Sequence, residues 1–275
     1  MNSHPQKTTQ ISARGTALVT GASAGIGREF CRQLAARGYD IVAVARRAER
    51  LAELAHELTD TYGIRVIPLT VDLAAPGAAA QIMAALTNID IEILVNNAGY
   101  GVPGRYLSSP WLVHARFQRV MIEVVAELCH ALLPSMSARG QGSIINVASL
   151  AGFLPGTAGH TLYAAAKAWM IRFSESLAFE LTPAGVRVCA VCPGFTYSEF
   201  HDVTGTRAQV GRLPSWLWMS AAAVVSESLA ASAAGRVVYV PGRVNRLIAA
   251  VAGRLPLTAL HALAQRGSRR FRDTR

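Results

Sequence analysis

The chain has 275 residues, 51% of them hydrophobic and 16% charged, which is enough for one large α/β domain or two small ones with a sizeable core. No stretch approaches twenty uninterrupted apolar residues, so the sequence predicts no membrane span. The formal net charge of +10 is concentrated at the C-terminus, where the segment from Arg243 to Arg275 carries eight arginines and one acid. The rest of the chain is close to neutral, which argues against a nucleic-acid-binding protein.

The chain begins with a polar stretch, residues 1–14, which predicts a disordered leader without the apolar core of a signal peptide. The absence of a signal leads us to expect a cytoplasmic protein with reduced thiols. Short apolar runs then alternate with longer helical patterns. We predict strands over 17–20, 39–45, 65–71, 91–96, 143–148, 186–192 and 236–240. We predict helices over 28–37, 48–61, 78–86, 111–136 and 163–181.

This alternation predicts the fold class. Strands of four to seven residues that are apolar throughout are buried on both faces, which indicates a parallel sheet with helices on each side. No break in composition divides the alternating elements, so we predict a single doubly wound α/β domain over 15–242. Residues 243–275 form a basic and apolar C-terminal extension.

A glycine-rich turn, Thr20–Gly27, lies directly between the first predicted strand and the first predicted helix. Gly21 and Gly25 would let the backbone approach a pyrophosphate, and Gly27 would permit close packing of the helix. The free N–H groups of the helix N-terminus would point at the phosphates. The turn therefore predicts a dinucleotide site, to which we assign Gly21, Ser23, Gly25, Ile26 and Gly27.

The second predicted strand ends in Arg46 and Arg47, where a carboxylate would normally bind a free ribose 2′-hydroxyl. Two guanidinium groups suit a 2′-phosphate, which a carboxylate would repel. We therefore predict that NADP(H) is preferred over NAD(H). The alternative interpretation is that both arginines merely begin an exposed helix.

Two further strand ends belong to the predicted cofactor site. Asp72 and Leu73 follow the third strand, near the expected position of an adenine. The fourth strand ends in Asn96 and is followed by Asn97, Ala98 and Gly99. The side-chain amides of Asn96 and Asn97 would either bond neighbouring backbone groups or border the nicotinamide side of the site.

Tyr163 and Lys167 are one helical turn apart and therefore project from the same face of a predicted helix. An ammonium there would lower the pKa of the phenol, which could then exchange a proton with a carbonyl oxygen. The chain has only two lysines, Lys7 and Lys167, so a lysine at this position is informative. The alternative is an amphipathic helix with a surface lysine.

Cys189 and Cys192 have the CxxC spacing that metal and redox sites use. They lie in a β-branched run without a second pair to complete a zinc site. Residues i and i+3 of a strand point to opposite faces. We therefore predict two small buried residues and no metal site.

These motifs together resemble the short-chain dehydrogenase/reductase family over about 16–196. The resemblance implies a single Rossmann-type domain, a three-layer α/β/α sandwich with a seven-stranded parallel sheet. It also implies a homodimer or homotetramer that transfers hydride between a nicotinamide and a carbonyl or alcohol. Tyr163 would be the acid/base, Lys167 would bind the nicotinamide ribose and lower the tyrosine pKa, and Ser149 would hydrogen-bond the substrate oxygen. The loop after the sixth strand resembles the family's motif in Pro193, Gly194, Phe195 and Thr196.

The chain departs from the family pattern at two places. Met121 stands where the family usually has an asparagine that supports a water linking the lysine to solvent. Methionine donates no hydrogen bond and accepts only weakly, so proton delivery would use other groups or turnover would be slow. Ser149 lies fourteen positions before Tyr163, one more than usual, which suggests an insertion in the loop over 152–160.

The segment over about 195–220 is a predicted lid, because substrates of this fold lie over the carboxyl ends of the strands. Its aromatic side chains would either cover an apolar ligand or pack on the core. The extension over 243–275 would be an interfacial helix in weak contact with anionic lipid, or a helix docked on the body with a solvated arginine tail; we favour the latter. The lid aromatics are Phe195, Tyr197, Phe200, Trp216 and Trp218.

The sequence therefore predicts an NADP(H)-dependent oxidoreductase that transfers a hydride between the nicotinamide and the carbonyl or alcohol of a small apolar, lipid-like substrate. The alternative is a nicotinamide-binding sensor or scaffold on the same fold, with catalysis weakened at Met121. Intact Ser149, Tyr163 and Lys167 argue against that alternative, since a purely structural role has no need of all three.

Overall fold

The computed structural model describes residues 14–159, 161–199 and 214–268. Their strands are β1 (Thr16–Thr20), β2 (Asp40–Ala45), β3 (Val66–Thr70), β4 (Ile91–Asn96), β5 (Gly142–Val147), β6 (Val186–Val191), β7 (Phe195–Tyr197), β8 (Trp218–Ser220) and β9 (Val238–Tyr239). Their α-helices are α1 (Gly25–Ala35), α2 (Ala48–Tyr62), α3 (Ala78–Ala85), α4 (Trp111–Gln118), α5 (Val124–Ala138), α6 (Thr161–Leu181), α7 (Ala221–Ala233), α8 (Arg243–Ala252) and α9 (Leu257–Ser268).

Seven parallel strands form one sheet in the order β3-β2-β1-β4-β5-β6-β9. The predicted single α/β domain with a seven-stranded parallel sheet is therefore confirmed. The strand order reverses between β1 and β4, and in open parallel sheets this switch point is where ligands bind, at the carboxyl ends of the strands. Pro68 lies in the edge strand β3, where a missing N–H costs least.

The inner strands are apolar throughout because both faces of the sheet are covered. Leu18 packs in the core on one face, and its neighbours Ala17 and Val19 pack on the other, as the two-residue period of a strand requires. Cys189 and Cys192 follow the same rule, since they are both buried and belong to opposite cores. The prediction that they are two small buried residues is confirmed.

The predicted helix over 111–136 is not a continuous α-helix. A π-helical segment, Arg119–Glu123, separates α4 from α5 and contains Met121. The whole stretch Trp111–Ala138 is long and apolar enough to cross a membrane by length and composition. Part of its apolar surface is packed in the core against the sheet, through residues such as Leu128 and Met136, whereas Trp111 and Leu112 are exposed.

The C-terminal extension begins with a helix that is docked on the domain. Helix α8 buries Asn245 and Ala252, and Ile248 packs against the core of one sheet face. The arginines over 269–275, the leader over 1–13 and the predicted lid residues 200–213 lie outside the described residues. Helix α7 and the two-stranded β7–β8 sheet were not predicted from the sequence.

Candidate active site

A cavity of about 520 Å³ lies at the carboxyl ends of the central strands. It brings together residues that the sequence separates by up to 178 positions, from Gly21 to Glu199. The predicted site residues at its wall are Gly21, Ser23, Gly25, Ile26, Arg46, Arg47, Asp72, Leu73, Asn97, Ala98, Gly99, Ser149, Tyr163, Lys167, Pro193, Gly194 and Thr196.

Gly27 is the exception, because it is not part of the cavity wall. A Cβ added there would lie 2.2 Å from the carbonyl oxygen of Gly21 and 2.4 Å from Nδ2 of Asn97. Gly27 therefore lets α1 pack against the turn, as its sequence position suggested, and its assignment to the cofactor site stays a prediction.

The turn after β1 has the shape and charge of an anion site. Gly21 and Gly25 adopt positive φ angles of +68° and +53°, which favour glycine. Helix α1 begins at Gly25 without a side-chain cap or an acidic residue in its first turn. Its first N–H groups are consequently available to a phosphate, and the bare backbone fits a dinucleotide pyrophosphate.

Thr20 and Asn97 hold this turn against the end of β4. The Asn97 amide donates to the carbonyl oxygens of Thr20 at 2.9 Å and Gly21 at 3.3 Å. The Thr20 hydroxyl accepts from the N–H groups of Asn97 and Ala98 at 3.0 and 3.1 Å. The Asn97 amide thus bonds neighbouring backbone, the first of the two roles considered, and because Asn97 also lines the cavity its role at the nicotinamide side stays a prediction.

The two arginines after β2 have different surroundings. Arg46 is exposed at the cavity wall, whereas Arg47 is directed to the glycine-rich turn, where its Nε and one terminal nitrogen donate to the Ser23 hydroxyl at 3.2 and 2.9 Å. Arg47 also pairs with the Glu199 carboxylate at 3.0 Å. The sequence analysis missed Glu199, because nothing in the sequence indicates that residues 152 positions apart are neighbours.

Asp72, which also lines the cavity, is held by hydrogen bonds from neighbouring protein groups. Burial opposes ionisation, but hydrogen bonds from the Ala74 N–H at 3.0 Å and from Arg116 at 2.7 Å hold the pKa of this carboxyl below its usual value. Asp72 thus remains ionised and shapes the turn after β3. Arg116 was also missed by the sequence analysis, since it comes from α4.

Helix α6 carries Tyr163 and Lys167 at the cavity wall, and Ser149 joins them from another element. Lys167 is 4% exposed, and its Nζ donates to the carbonyl oxygen of Val147 at the end of β5, at 2.6 Å. The Tyr163 hydroxyl hydrogen-bonds to that of Ser149, which comes from the loop after β5. Lys167 Nζ lies 5.8 Å from the centre of the Tyr163 ring. The predicted Ser149, Tyr163 and Lys167 cluster is therefore present.

The expected depression of the tyrosine pKa by Lys167 is not present in this structure. Burial raises the pKa of Tyr163 to about 12, and the hydrogen bond with Ser149 only partly opposes it. Burial also lowers the pKa of Lys167 to about 8. The earlier expectation considered only the attraction between an ammonium and a phenolate, whereas desolvation here disfavours the charge on both groups.

A buried polar chain fixes α6 relative to the sheet. The Asn96 amide donates to the Asn146 oxygen at 2.9 Å, and the Asn146 amide donates to the Ser174 hydroxyl at 2.9 Å. Ser174 in turn donates to the carbonyl oxygen of Met170. Strands β4 and β5 are thus tied to the helix that presents Tyr163, and register errors there would leave buried polar groups without partners.

Met121 is fully buried and contributes no polar group to the site. It belongs to a small apolar cluster with Phe117 and Ala166, and Tyr163 packs against this cluster. A Cβ added to Gly99 would lie 2.9 Å from the Met121 sulfur and 3.8 Å from Lys167 Nζ. The methionine side chain therefore fills the space between Gly99 and the helix beside Lys167.

The described lid aromatics mostly stack on one another. Trp218 stacks on Tyr197 with ring centres 4.9 Å apart and lies 5.5 Å from Phe195, within the β7–β8 pair. Only Phe195 among these aromatics lines the cavity, while Trp216 is 64% exposed. Phe200 lies outside the described residues, so the expectation that the lid covers a ligand stays a prediction.

Residues 15–208 match the family described as short chain dehydrogenase. The chain belongs to the short-chain dehydrogenase/reductase family. Its members are oxidoreductases that act on hydroxyl and carbonyl groups with a nicotinamide cofactor. The first six strands of the parallel sheet, the glycine-rich turn and the Ser149, Tyr163 and Lys167 cluster of this family member lie within the matched residues, and β9 lies beyond them.

Three similar proteins illustrate the range of this family. An uncharacterized oxidoreductase from Myxococcus xanthus is 38% identical over 186 residues, which cover 67% of this chain and 73% of that protein. The very-long-chain 3-oxoacyl-CoA reductase-A of Danio rerio is 34% identical over 193 residues, which cover 68% of this chain but only 60% of that protein. A solved short-chain dehydrogenase from Sphingobium yanoikuyae, in complex with NADPH, has a TM-score of 0.79 at 32% identity, with 89% of this chain and 95% of that chain covered.

Proposed function

We propose that this dehydrogenase transfers a hydride between NADP(H) and the carbonyl or alcohol carbon of a small apolar, lipid-like substrate. The observation that carries the proposal is the Tyr163–Ser149 hydrogen bond at the wall of the cavity that also contains the glycine-rich turn. The bound nicotinamide supplies or accepts the hydride. In the reductive direction, Ser149 donates a hydrogen bond to the substrate oxygen, and Tyr163 gives that oxygen its phenolic proton.

The high pKa of Tyr163 suits the reductive direction. A phenol with a pKa of about 12 stays protonated at neutral pH and is ready to act as an acid toward a developing alkoxide. Lys167 would bind the nicotinamide ribose, and its charge would then favour the phenolate that remains after proton transfer. Binding would need Lys167 to exchange or share its present contact with Val147.

The preference for NADP(H) rests on Arg46 and Arg47. Both arginines line the cavity, and Arg47 is bonded to Ser23 of the turn that would hold the pyrophosphate. The similar Sphingobium yanoikuyae enzyme was solved with NADPH. A 2′-phosphate between these arginines would form charge-assisted hydrogen bonds that a 2′-hydroxyl cannot match.

The apolar character of the substrate is inferred from the apolar part of the cavity wall. Val120, Leu150, Leu154 and Phe195 line the cavity, and Leu150 follows Ser149 directly in the chain. The similar Danio rerio protein is named for an apolar acyl substrate, a very-long-chain 3-oxoacyl-CoA. We therefore place long-chain ketones and acyl thioesters first among the substrates to be screened.

We also propose that Met121 stands in place of the usual asparagine of the family. Its location in the π-helical segment beside Gly99 and Lys167 supports this assignment. Proton delivery to Lys167 would then depend on backbone groups and water, with no side-chain amide at this position. Slower turnover is the expected consequence.

For the assembly, we propose a homo-oligomer formed through α4, α5 and α6. Trp111 on α4 and Phe179 on α6 are 64% and 73% exposed, and large apolar side chains with such exposure suit an interface. Light scattering of the wild type and of a Phe179→Ser variant would test this, with a smaller particle expected for the variant.

The proposed chemistry is tested by Tyr163→Phe, with Tyr62→Phe on α2 as a matched control away from the cavity. We expect Tyr163→Phe to lose at least about a hundredfold in turnover of a long-chain ketone or acyl thioester, since general acid–base catalysis commonly contributes that much. Cofactor affinity, measured by tryptophan fluorescence, should stay the same in both variants. Equal turnover in Tyr163→Phe and wild type would overturn the assignment.

The alternative of a cofactor sensor or scaffold makes a different prediction for the same measurements. It requires the wild type to bind the nicotinamide cofactor without reducing or oxidising any substrate in the screen. Binding of neither NADPH nor NADH would instead reject the dinucleotide site.

A further inference from the structure

Glu199 lies beside the glycine-rich turn, where its carboxylate pairs with Arg47 and Arg50. One carboxylate oxygen accepts from Arg47 at 3.0 Å, and the two oxygens accept from Arg50 at 2.5 and 2.7 Å. These hydrogen bonds, from Arg50 and then from Arg47, hold the pKa of Glu199 below its usual value. The carboxylate is therefore charged at neutral pH and bridges two guanidinium groups of α2 and its N-terminal cap.

The chain leading to Glu199 is anchored above the turn. Strand β7 pairs with β8, and Ser198 follows directly. A Cβ added to Gly25 would lie 3.0 Å from Cβ of Ser198, so this segment rests on the turn itself. Ser198 and Glu199 both line the cavity. The position of the carboxylate is consequently tied to the wall of the cofactor site.

Arg47 has two partners that bear on cofactor selection. It donates to Ser23 with two nitrogens and uses another for Glu199. A 2′-phosphate placed between Arg46 and Arg47 would bring its negative charge toward the Glu199 carboxylate. The phosphate must then either replace Glu199 on Arg47 or be bound close to a like charge, and both reduce its affinity. A 2′-hydroxyl carries no charge and meets neither cost.

We propose that Glu199 is a specificity-determining residue that weakens the binding of the 2′-phosphate by holding Arg47. This inference rests on the proposed use of NADP(H). Arg50 keeps Glu199 in place when Arg47 is released, because it contacts both carboxylate oxygens. A bound 2′-phosphate would therefore have to displace Glu199 from Arg47 alone. The carboxylate would thereby reduce the ratio of NADPH affinity to NADH affinity.

The test compares Glu199→Gln with Glu49→Gln. Glu49 lies in the first turn of the same helix and is exposed, and among the described residues it forms no ion pair, so the control removes an equal charge without a bound partner. Dissociation constants for NADPH and NADH are measured by tryptophan fluorescence at low and high salt. Thermal melting of each variant checks that the fold is kept.

We expect Glu199→Gln to bind NADPH about two- to fivefold more tightly, the range that an exposed ion pair allows, with little change for NADH. The gain should shrink at high salt, and Glu49→Gln should change both constants little. An unchanged NADPH/NADH ratio in Glu199→Gln would overturn the inference. Weaker NADPH binding would also overturn it, because Glu199 would then support Arg47.

The wild-type dissociation constants test the proposed NADP(H) preference independently of the role of Glu199. If the wild type binds NADPH no more tightly than NADH, the proposed preference is wrong. The change in ratio caused by Glu199→Gln still decides whether Glu199 discriminates between the two cofactors. A selective loss of NADH binding would reject the inference by showing that Glu199 binds a ribose hydroxyl.

Discussion

The turn after β1 and the cluster on α6 face the same cavity but are built by different means. The turn is defined by backbone shape, since Gly27 leaves no room for a side chain and Asn97 bonds the backbone around it. The α6 cluster is defined by burial, which shifts the pKa values of Tyr163 and Lys167 in opposite directions. A side chain added in the turn should therefore weaken cofactor binding. A change of charge or polarity in the α6 cluster should instead alter its pKa values and proton transfer.

Gly27→Ala tests the steric half of this comparison and should have the largest effect. The added Cβ meets backbone 2.2 Å away, and an overpacking strain of about 3 kcal/mol in the bound geometry corresponds to about a hundredfold loss of cofactor affinity. Titration with NADPH measures this loss. Gly253→Ala is the control, because its nearest contact would be an ordinary 3.5 Å. Similar affinities in both variants would contradict the steric argument.

The effect of burial on charge in the α6 cluster is tested by the pH dependence of the free energy of unfolding, compared between wild type and Lys167→Met. The pKa of Lys167 is about 8 in the folded protein, below the ordinary lysine value of 10.5, so the folded state releases the proton at a lower pH than the unfolded chain. The lysine therefore destabilises the fold below pH 8, and wild-type stability should gain about 1.4 kcal/mol per pH unit between pH 8 and 10 relative to Lys167→Met.

Urea unfolding of both proteins from pH 7 to 10 measures that difference. The thiols and Tyr163 also titrate in the alkaline range, but they are present in both proteins and largely cancel. Lys167→Met should be the more stable protein at pH 7 and should lose this advantage as the pH rises. A difference that does not depend on pH would show that the buried ammonium is not the source.

The Met121→Asn variant tests whether the apolar side chain of Met121, beside Tyr163 and Lys167, limits proton delivery. We expect turnover to be preserved or raised, while a buried amide without a full set of partners lowers the free energy of unfolding by about 1–3 kcal/mol. Met121→Leu is the control, with unchanged chemistry and a smaller stability loss. If Met121→Asn folds and binds cofactor but turns over more slowly, the relay interpretation is wrong. If it does not fold, Met121 acts as a packing residue.

Local patterns were sufficient for most of the fold. An apolar run such as Ile91–Asn96 identifies a buried strand because both its faces are covered, and its bounds agree with the structure. The helix starting at Gly25 was predicted three residues late, because it begins inside the glycine-rich turn. The π-helical segment around Met121 was missed, since its hydrogen bonding depends on neighbours and not on the periodicity of the sequence.

By itself, the sequence determined the fold family and the types of residue at the site, because a glycine turn after a strand and a tyrosine one helical turn from a lysine are local features. Only the tertiary structure decided the pKa values of Tyr163 and Lys167 and the pairing of Arg47 with Glu199. The pKa values depend on how completely the surrounding elements remove water from each group. The ion pair depends on the return of a distant loop to the first turn of α2. Both are properties of packed elements, which the order of residues along the chain does not display.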